Sequence, residues 1–135
     1  MALPFLDTNI FLRHLRDDHA EHSPRATACF GKIEEGELRV RTADTVVFEV
    51  VFTLQRYYKV PKAKIREVVL PLIELPGILL PGKNRLRKAF DLYVDLNISF
   101  ADAYHAVLMG SLKLDEIITF DTEFDRVKGI LRREP

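Results

Sequence analysis

A chain of 135 residues, 47% hydrophobic and with nine Phe, holds enough apolar material for a sizeable core, and its length fits a single domain over 1–135. Twenty basic and twenty acidic side chains cancel, which argues mildly against a nucleic-acid partner unless the basic groups are clustered. The single Cys29 excludes an internal disulfide framework and a cysteine-based zinc site, and it fits a reducing cytoplasm.

Basic residues do gather, at Arg56, Lys59, Lys62, Lys64 and Arg66, at Lys83, Arg85, Arg87 and Lys88, and at Arg126, Lys128, Arg132 and Arg133. Any one such run is most often a solvated helix face. Met1-Ala2-Leu3-Pro4-Phe5-Leu6-Asp7 lacks a basic leader region, and Asp7 ends its apolar run too early for a signal peptide. No stretch reaches the roughly 18 apolar residues of a membrane span. A soluble, cytoplasmic protein is expected, with no membrane association.

Leu3 to Leu6 predicts a short buried strand stopped by Asp7, with Thr8 or Asn9 capping a helix through Arg16. Ser23-Pro24 reads as an N-cap followed by proline at the first helical position, and Gly36 as the stop after Glu35. Leu38-Arg39-Val40-Arg41 alternates like a strand. The β-branched run from Val46 would suit a strand too. Caps at Thr42 and Asp44, and the spacing of Val47, Val50, Val51, Leu54 and Tyr58, predict a helix instead.

Pro61 opens a further helix to about Leu75, with a possible kink at Pro71. Ile78-Leu79-Leu80 suits a strand or a packed loop. Asn84 caps a helix ending near Leu96, and Ser99 begins another that ends around Lys113. Ile117-Ile118-Thr119-Phe120 predicts a buried strand closed by Asp121, and Ile130-Leu131 a last edge strand. Strands separated by helices imply an α/β fold with a mainly parallel sheet, whose ligand site lies beyond the carboxyl ends of the strands. Asp7 and Asp121 fall there.

Four acids stand out. Asp7 and Asp121 each end a strand, where Asp also serves as an ordinary turn residue. Glu49 has three apolar residues on either side, so at least part of it is expected to be desolvated, and therefore paired, protonated or metal-bound. Asp102 stands three residues after Ser99, the spacing of a capping box, so it either ties down its own helix or projects toward the strand ends. Should the four converge, their repulsion has to be relieved by raised pKa values or by cations. No Lys or Arg adjoins any of them in sequence, so a divalent metal is the simplest neutraliser, and all-oxygen ligation suits Mg²⁺ or Mn²⁺.

Leu6-Asp7-Thr8-Asn9-Ile10-Phe11-Leu12-Arg13 resembles the opening motif of PIN domains, particularly of VapC-type toxins from prokaryotic toxin–antitoxin pairs. Thr45 to Val51 around Glu49, Phe100 to Ala106 around Asp102, and Ile118 to Phe124 around Asp121 resemble the second, third and fourth acidic motifs, in the family's order. The resemblance implies a three-layer α/β fold, with a central, mainly parallel sheet of four to five strands flanked by helices. It implies a metal-dependent endoribonuclease in which Asp7, Glu49, Asp102 and Asp121 are catalytic and hold one or two Mg²⁺ or Mn²⁺ ions. Thr8 and Asn9 would hold the Asp7 loop, and Thr119 would donate a hydroxyl to a carboxylate or to the metal's water shell. Asp125 is a spare acid outside the main set, and His105 carries no assigned role. A homodimer and a small inhibitory antitoxin are implied as partners, with RNA as substrate.

Two other enzyme classes fit poorly. A phosphatase of the haloacid-dehalogenase type needs a second carboxylate two residues after Asp7, where Asn9 stands. A phosphoacceptor receiver domain needs Lys where Asp121 stands. The serious rival is a catalytically weak PIN-fold module that binds RNA or a protein partner, but such a chain would be expected to have lost one or more of the acids.

Overall fold

The helix that carries Glu49 settles the ambiguous β-branched run. In the computed structural model, which describes residues 2–135, Asp44–Arg56 is helical and is here α3. Val46, Val47, Val50, Val51 and Leu54 are all buried on one side of it, at the 3–4 residue spacing of an amphipathic helix. Packing of that stripe outweighs the strand preference of valine. The chain divides into two compact units, residues 2–83 and 84–135.

In the first unit α1 spans Thr8–Arg16, α2 His22–Glu34, α4 Lys62–Ile73, β1 Val40–Arg41 and β2 Ile78–Leu79. Helix α1 packs on α2 and α3, and α3 on α4. Phe11 meets Phe30 edge-on, with ring centroids 5.2 Å apart. Strands β1 and β2 are parallel, pairing Val40 with Ile78 and Arg41 with Leu79. The predicted strand Leu3 to Leu6 reduces to a single parallel bridge from Phe5 to Arg41, because only Pro4 and Leu6 exchange backbone hydrogen bonds with Arg41.

Several expected caps moved. Asp7, not Thr8 or Asn9, occupies the N-cap of α1. Helix α2 starts before Ser23, with Glu21 at its N-cap, and His19 Nδ1 accepts from the backbone N–H groups of Glu21 and His22. Ala43 caps α3, since Thr42 is occupied elsewhere and Asp44 is already helical. Pro71 lies inside α4, near its end. Gly77 is where β2 passes closest to α2: a Cβ there would sit 2.9 Å from Ile33 Cγ2 and 3.0 Å from the Ile33 carbonyl oxygen. Gly77→Ala is accordingly expected to destabilise the fold by about 1–3 kcal/mol, the usual cost of overpacking, measured by denaturant titration.

In the second unit α5 spans Lys83–Asp95 (its first residue closes the first unit) and α6 spans Phe100–Ser111. Strand β3, Glu116–Ile118, pairs in parallel with β4, Leu131–Arg133. A short 3-10 helix, Thr122–Arg126, lies between them and was not expected from the sequence. Phe90, Tyr93 and Phe100 form an aromatic cluster, with Phe90 and Phe100 centroids 4.7 Å apart. The strand predicted at Ile117 to Phe120 begins and ends earlier, and it is not buried: Ile118 and Phe120 project outward while Ile117 and Thr119 are half-buried, the period of two of a pleated strand. The fold is α/β, with six α-helices and short strands that all pair in parallel among the described residues. It is consistent with the PIN-like architecture implied by the motifs.

Candidate active site

Three carboxylates meet in the second unit. Helix α6 begins at Ser99, an extended residue whose Oγ accepts from the backbone N–H of Asp102 at 3.1 Å. In a full capping box Asp102 would answer by accepting from the Ser99 N–H. That N–H instead donates to Glu123 Oε1 at 3.3 Å, so Glu123, from the 3-10 turn, takes the reciprocal role. The Asp102 carboxyl faces Asp121 instead.

Asp121 is placed by two local hydrogen bonds. Thr119 Oγ1 accepts from the Asp121 N–H at 3.0 Å, and Asp121 Oδ1 accepts from the Glu123 N–H at 2.9 Å, capping the 3-10 turn. This contact uses an acceptor lone pair of Thr119 and is compatible with the expected donation of its hydroxyl to a carboxylate or a metal's water. Candidate ligand atoms of Asp102, Asp121 and Glu123 all lie within 4.8 Å of one another.

Electrostatics follows from the geometry. Partial burial, then the hydrogen bond and charge of Asp121, push Asp102 up to about 6, while Ser99 opposes the shift. Asp121 moves the other way, held down by the Glu123 N–H and then by its hydrogen bond with Asp102, with help from the charges of Arg126 and Arg132. Burial and the neighbouring carboxylate thus favour the protonated form at Asp102 over that at Asp121. Three carboxylates whose oxygens lie in reach of one another fit a hard divalent cation.

Glu123 is the site residue the sequence reading missed. Its signal was present, since an acid two residues after Asp121 in a tight turn is brought back beside it. Asp125, the acid that was noticed, is instead paired with Arg132 at 3.0 Å.

Asp7 and Glu49 belong to the first unit. Asp7 is exposed and extended at the N-cap of α1, yet its side chain makes no capping hydrogen bond. It therefore does not do the structural work that would account for an Asp at that position. Thr8 is buried and Asn9 exposed. The end of the strand segment before Asp7 is fixed by a residue assigned to a cap on sequence grounds: the buried Thr42 donates its hydroxyl to the Leu6 carbonyl at 2.9 Å. Thr42→Val is expected to cost about 1–3 kcal/mol, by leaving that carbonyl unsatisfied, and calorimetry would show it as a lowered Tm. Glu49 is exposed, contrary to the expectation of desolvation. It sits on the solvent side of α3 with Phe52, because the valines on either side of it in sequence turn away from it around the helix. His105 is exposed on α6.

The model of the PIN domain family matches residues 5–130. The chain belongs to the PIN-domain family. Among curated proteins, none matches it significantly. PIN domains are generally nucleases that use divalent metal ions, and the Asp102–Asp121–Glu123 cluster provides such a donor set in this member of the family. Among the described residues no helix is long and apolar enough to cross a membrane.

Proposed function

We propose that this PIN domain is an endoribonuclease dependent on Mg²⁺ or Mn²⁺, and the toxin of a VapC-type toxin–antitoxin pair. The observation that carries the nuclease reading is the Asp102–Asp121–Glu123 cluster, with ligand atoms within 4.8 Å of one another. Asp7 and Glu49 are assigned to the same chemistry by their motif positions, and Asp7 also by its idle side chain at the N-cap. The motifs support a small cytoplasmic antitoxin and a homodimer as partners, and the family match, unbroken from residue 5 to 130, supports reading the chain as one domain.

Asp102, Asp121 and Glu123 would hold the cation, with Asp7 and Glu49 as further ligands or water-orienting groups. A divalent cation bound there would supply a water of lowered pKa and stabilise charge on the leaving oxygen of a phosphodiester. Thr119 holds the Asp121 backbone and the Glu123 N–H its carboxylate, and Ser99 fixes the start of α6 so that Asp102 stays beside it. Asp102, raised to about 6, is largely ionised at neutral pH and so available as a ligand, and below that its proton would compete with the cation.

The test is cleavage of a pool of single-stranded and structured RNA by the purified protein with Mg²⁺, Mn²⁺ or EDTA. Cleavage that requires metal supports the reading. A folded preparation that cuts no RNA under any of these conditions favours the binding module.

A further inference from the structure

Members of all three basic runs make local contacts. Lys83 donates to the Leu75 carbonyl at 2.9 Å, Arg126 to the Asn97 carbonyl at 2.7 Å, Arg132 pairs with Asp125 and Glu134, and Arg133 with Glu116. In the first run Lys64 pairs with Glu67 at 3.6 Å, and what distinguishes this run is its composition. From Val50 to Arg66 the sequence holds five basic residues and no acid, and the structure sets exposed aromatic rings among them.

Glu49, Phe52 and Arg56 lie at i, i+3 and i+7 of α3, one stripe on its solvent side, about 10 Å from end to end at 1.5 Å per residue. Phe52 is 65% exposed, with the Arg56 guanidinium 5.9 Å from its ring centroid. Tyr57, at the C-cap, is 77% exposed. It meets Tyr58 edge-on at 5.0 Å. Tyr58 is itself anchored, donating to Asp18 Oδ2 at 2.9 Å beneath the Arg16 guanidinium. The turn that follows is closed by the Val60 N–H donating to the Leu54 carbonyl at 2.9 Å. Its left-handed position, φ 57°, is held by Lys59, where Gly or Asn is usual, so the chain places a cation on a rigid corner.

We infer that this stripe is a track for single-stranded RNA, with bases stacking on Phe52 and Tyr57 and phosphates meeting Arg56 and Lys59, leading along α3 to Glu49. The inference rests on the ribonuclease reading and specifies its substrate class. Exposed rings alternating with cations suit a polyanion carrying flat bases, which must be unpaired to stack. The exposed stripe has no aliphatic side chain, so it lacks the continuous apolar face that a second copy or a partner helix would need.

The test uses the whole chain in EDTA, so that binding is read without cleavage. The probes are a labelled oligouridylate of about twelve nucleotides, within the range such sites span, and an RNA duplex of the same length. The single strand is expected to bind more tightly than the duplex. Phe52→Ala with Tyr57→Ala is expected to weaken single-strand binding about tenfold to a hundredfold, and Phe52→Trp to preserve it. Arg56→Ala with Lys59→Ala should lower the slope of log K against log salt by about 1.4, at roughly 0.7 per lost contact. Unchanged binding by the aromatic double variant, or equal affinity for the duplex, overturns the inference. So does a wild-type dimer that the aromatic variant converts to monomer, since the face would then be covered by a second copy. Single-strand binding that depends on these residues in a protein that never cuts RNA would leave the track standing and remove the nuclease.

Discussion

Asp121→Asn is expected to reduce metal-dependent RNA cleavage about a hundredfold or more, the scale of losing one well-placed group that stabilises transition-state charge, with little change in Tm. The asymmetry follows from what each atom does. Asn keeps the Oδ1 that accepts from the Glu123 N–H, and it keeps the backbone N–H that donates to Thr119, so both local contacts that shape the 3-10 turn survive. What it removes is the negative charge in the cluster with Asp102 and Glu123. Asp125→Asn is the matched control, one turn away on the same 3-10 helix. It weakens an ion pair with Arg132 that is worth at most about 1 kcal/mol at the surface, and cleavage should stay near wild type. Equal losses in the two variants would mean that the reading has misplaced the site, and unfolding of Asp121→Asn would make that residue structural.

The legibility of the site differed from residue to residue for physical reasons. Asp102 and Asp121 could be found because each stands at a junction with a strong local signature, a Ser-initiated helix and the end of a β-branched run. Glu123 carried only the weaker signal of its spacing from Asp121, because its placement depends on a 3-10 turn whose composition, Thr-Glu-Phe-Asp-Arg, has no apolar period to announce it. Glu49 misled in a different way. Linear neighbours suggested burial, but neighbours in sequence are 100° apart on a helix, and the buried stripe of α3 leaves Glu49 on the opposite side. Helix existence was readable throughout, from apolar spacing for α3 and from start and stop residues for the others. Caps were not, since the deciding hydrogen bonds of Thr42 and His19 run to partners that sequence spacing does not identify. Strand lengths fell short of their apolar runs because pairing, rather than hydrophobicity, ends a strand.

Metal binding is expected to be linked to protons near pH 6, and Asp102 is the group that sets the linkage. Its folded pKa is raised from 3.8 to about 6, first by burial and then by Asp121. A carboxyl with a raised folded pKa contributes stability in full below its unfolded value and loses it as pH rises through the folded value. Metal-free protein should therefore lose stability on this account between pH 5 and 7. Asp121, whose pKa is lowered, acts in the opposite sense but outside that window, at more acidic pH. His14, lowered by burial, also opposes the trend within the window. Comparison with Asp102→Asn separates them, because the variant keeps His14 and loses only the carboxyl. In EDTA the variant should gain Tm relative to wild type as pH rises from 5 to 7. A cation at the cluster reverses the ranking for wild type: at a hundred times Kd it adds about 2.7 kcal/mol, or roughly 5–10 °C in a chain of this size. That gain should be full at pH 7.5 and smaller at pH 5, where the proton on Asp102 competes with the metal. It should be nearly absent in Asp102→Asn at either pH. A Mn²⁺-induced shift of the same size at both pH values, or one undiminished in Asp102→Asn, would separate the Asp102 proton from the metal and leave Asp102 no part in binding it.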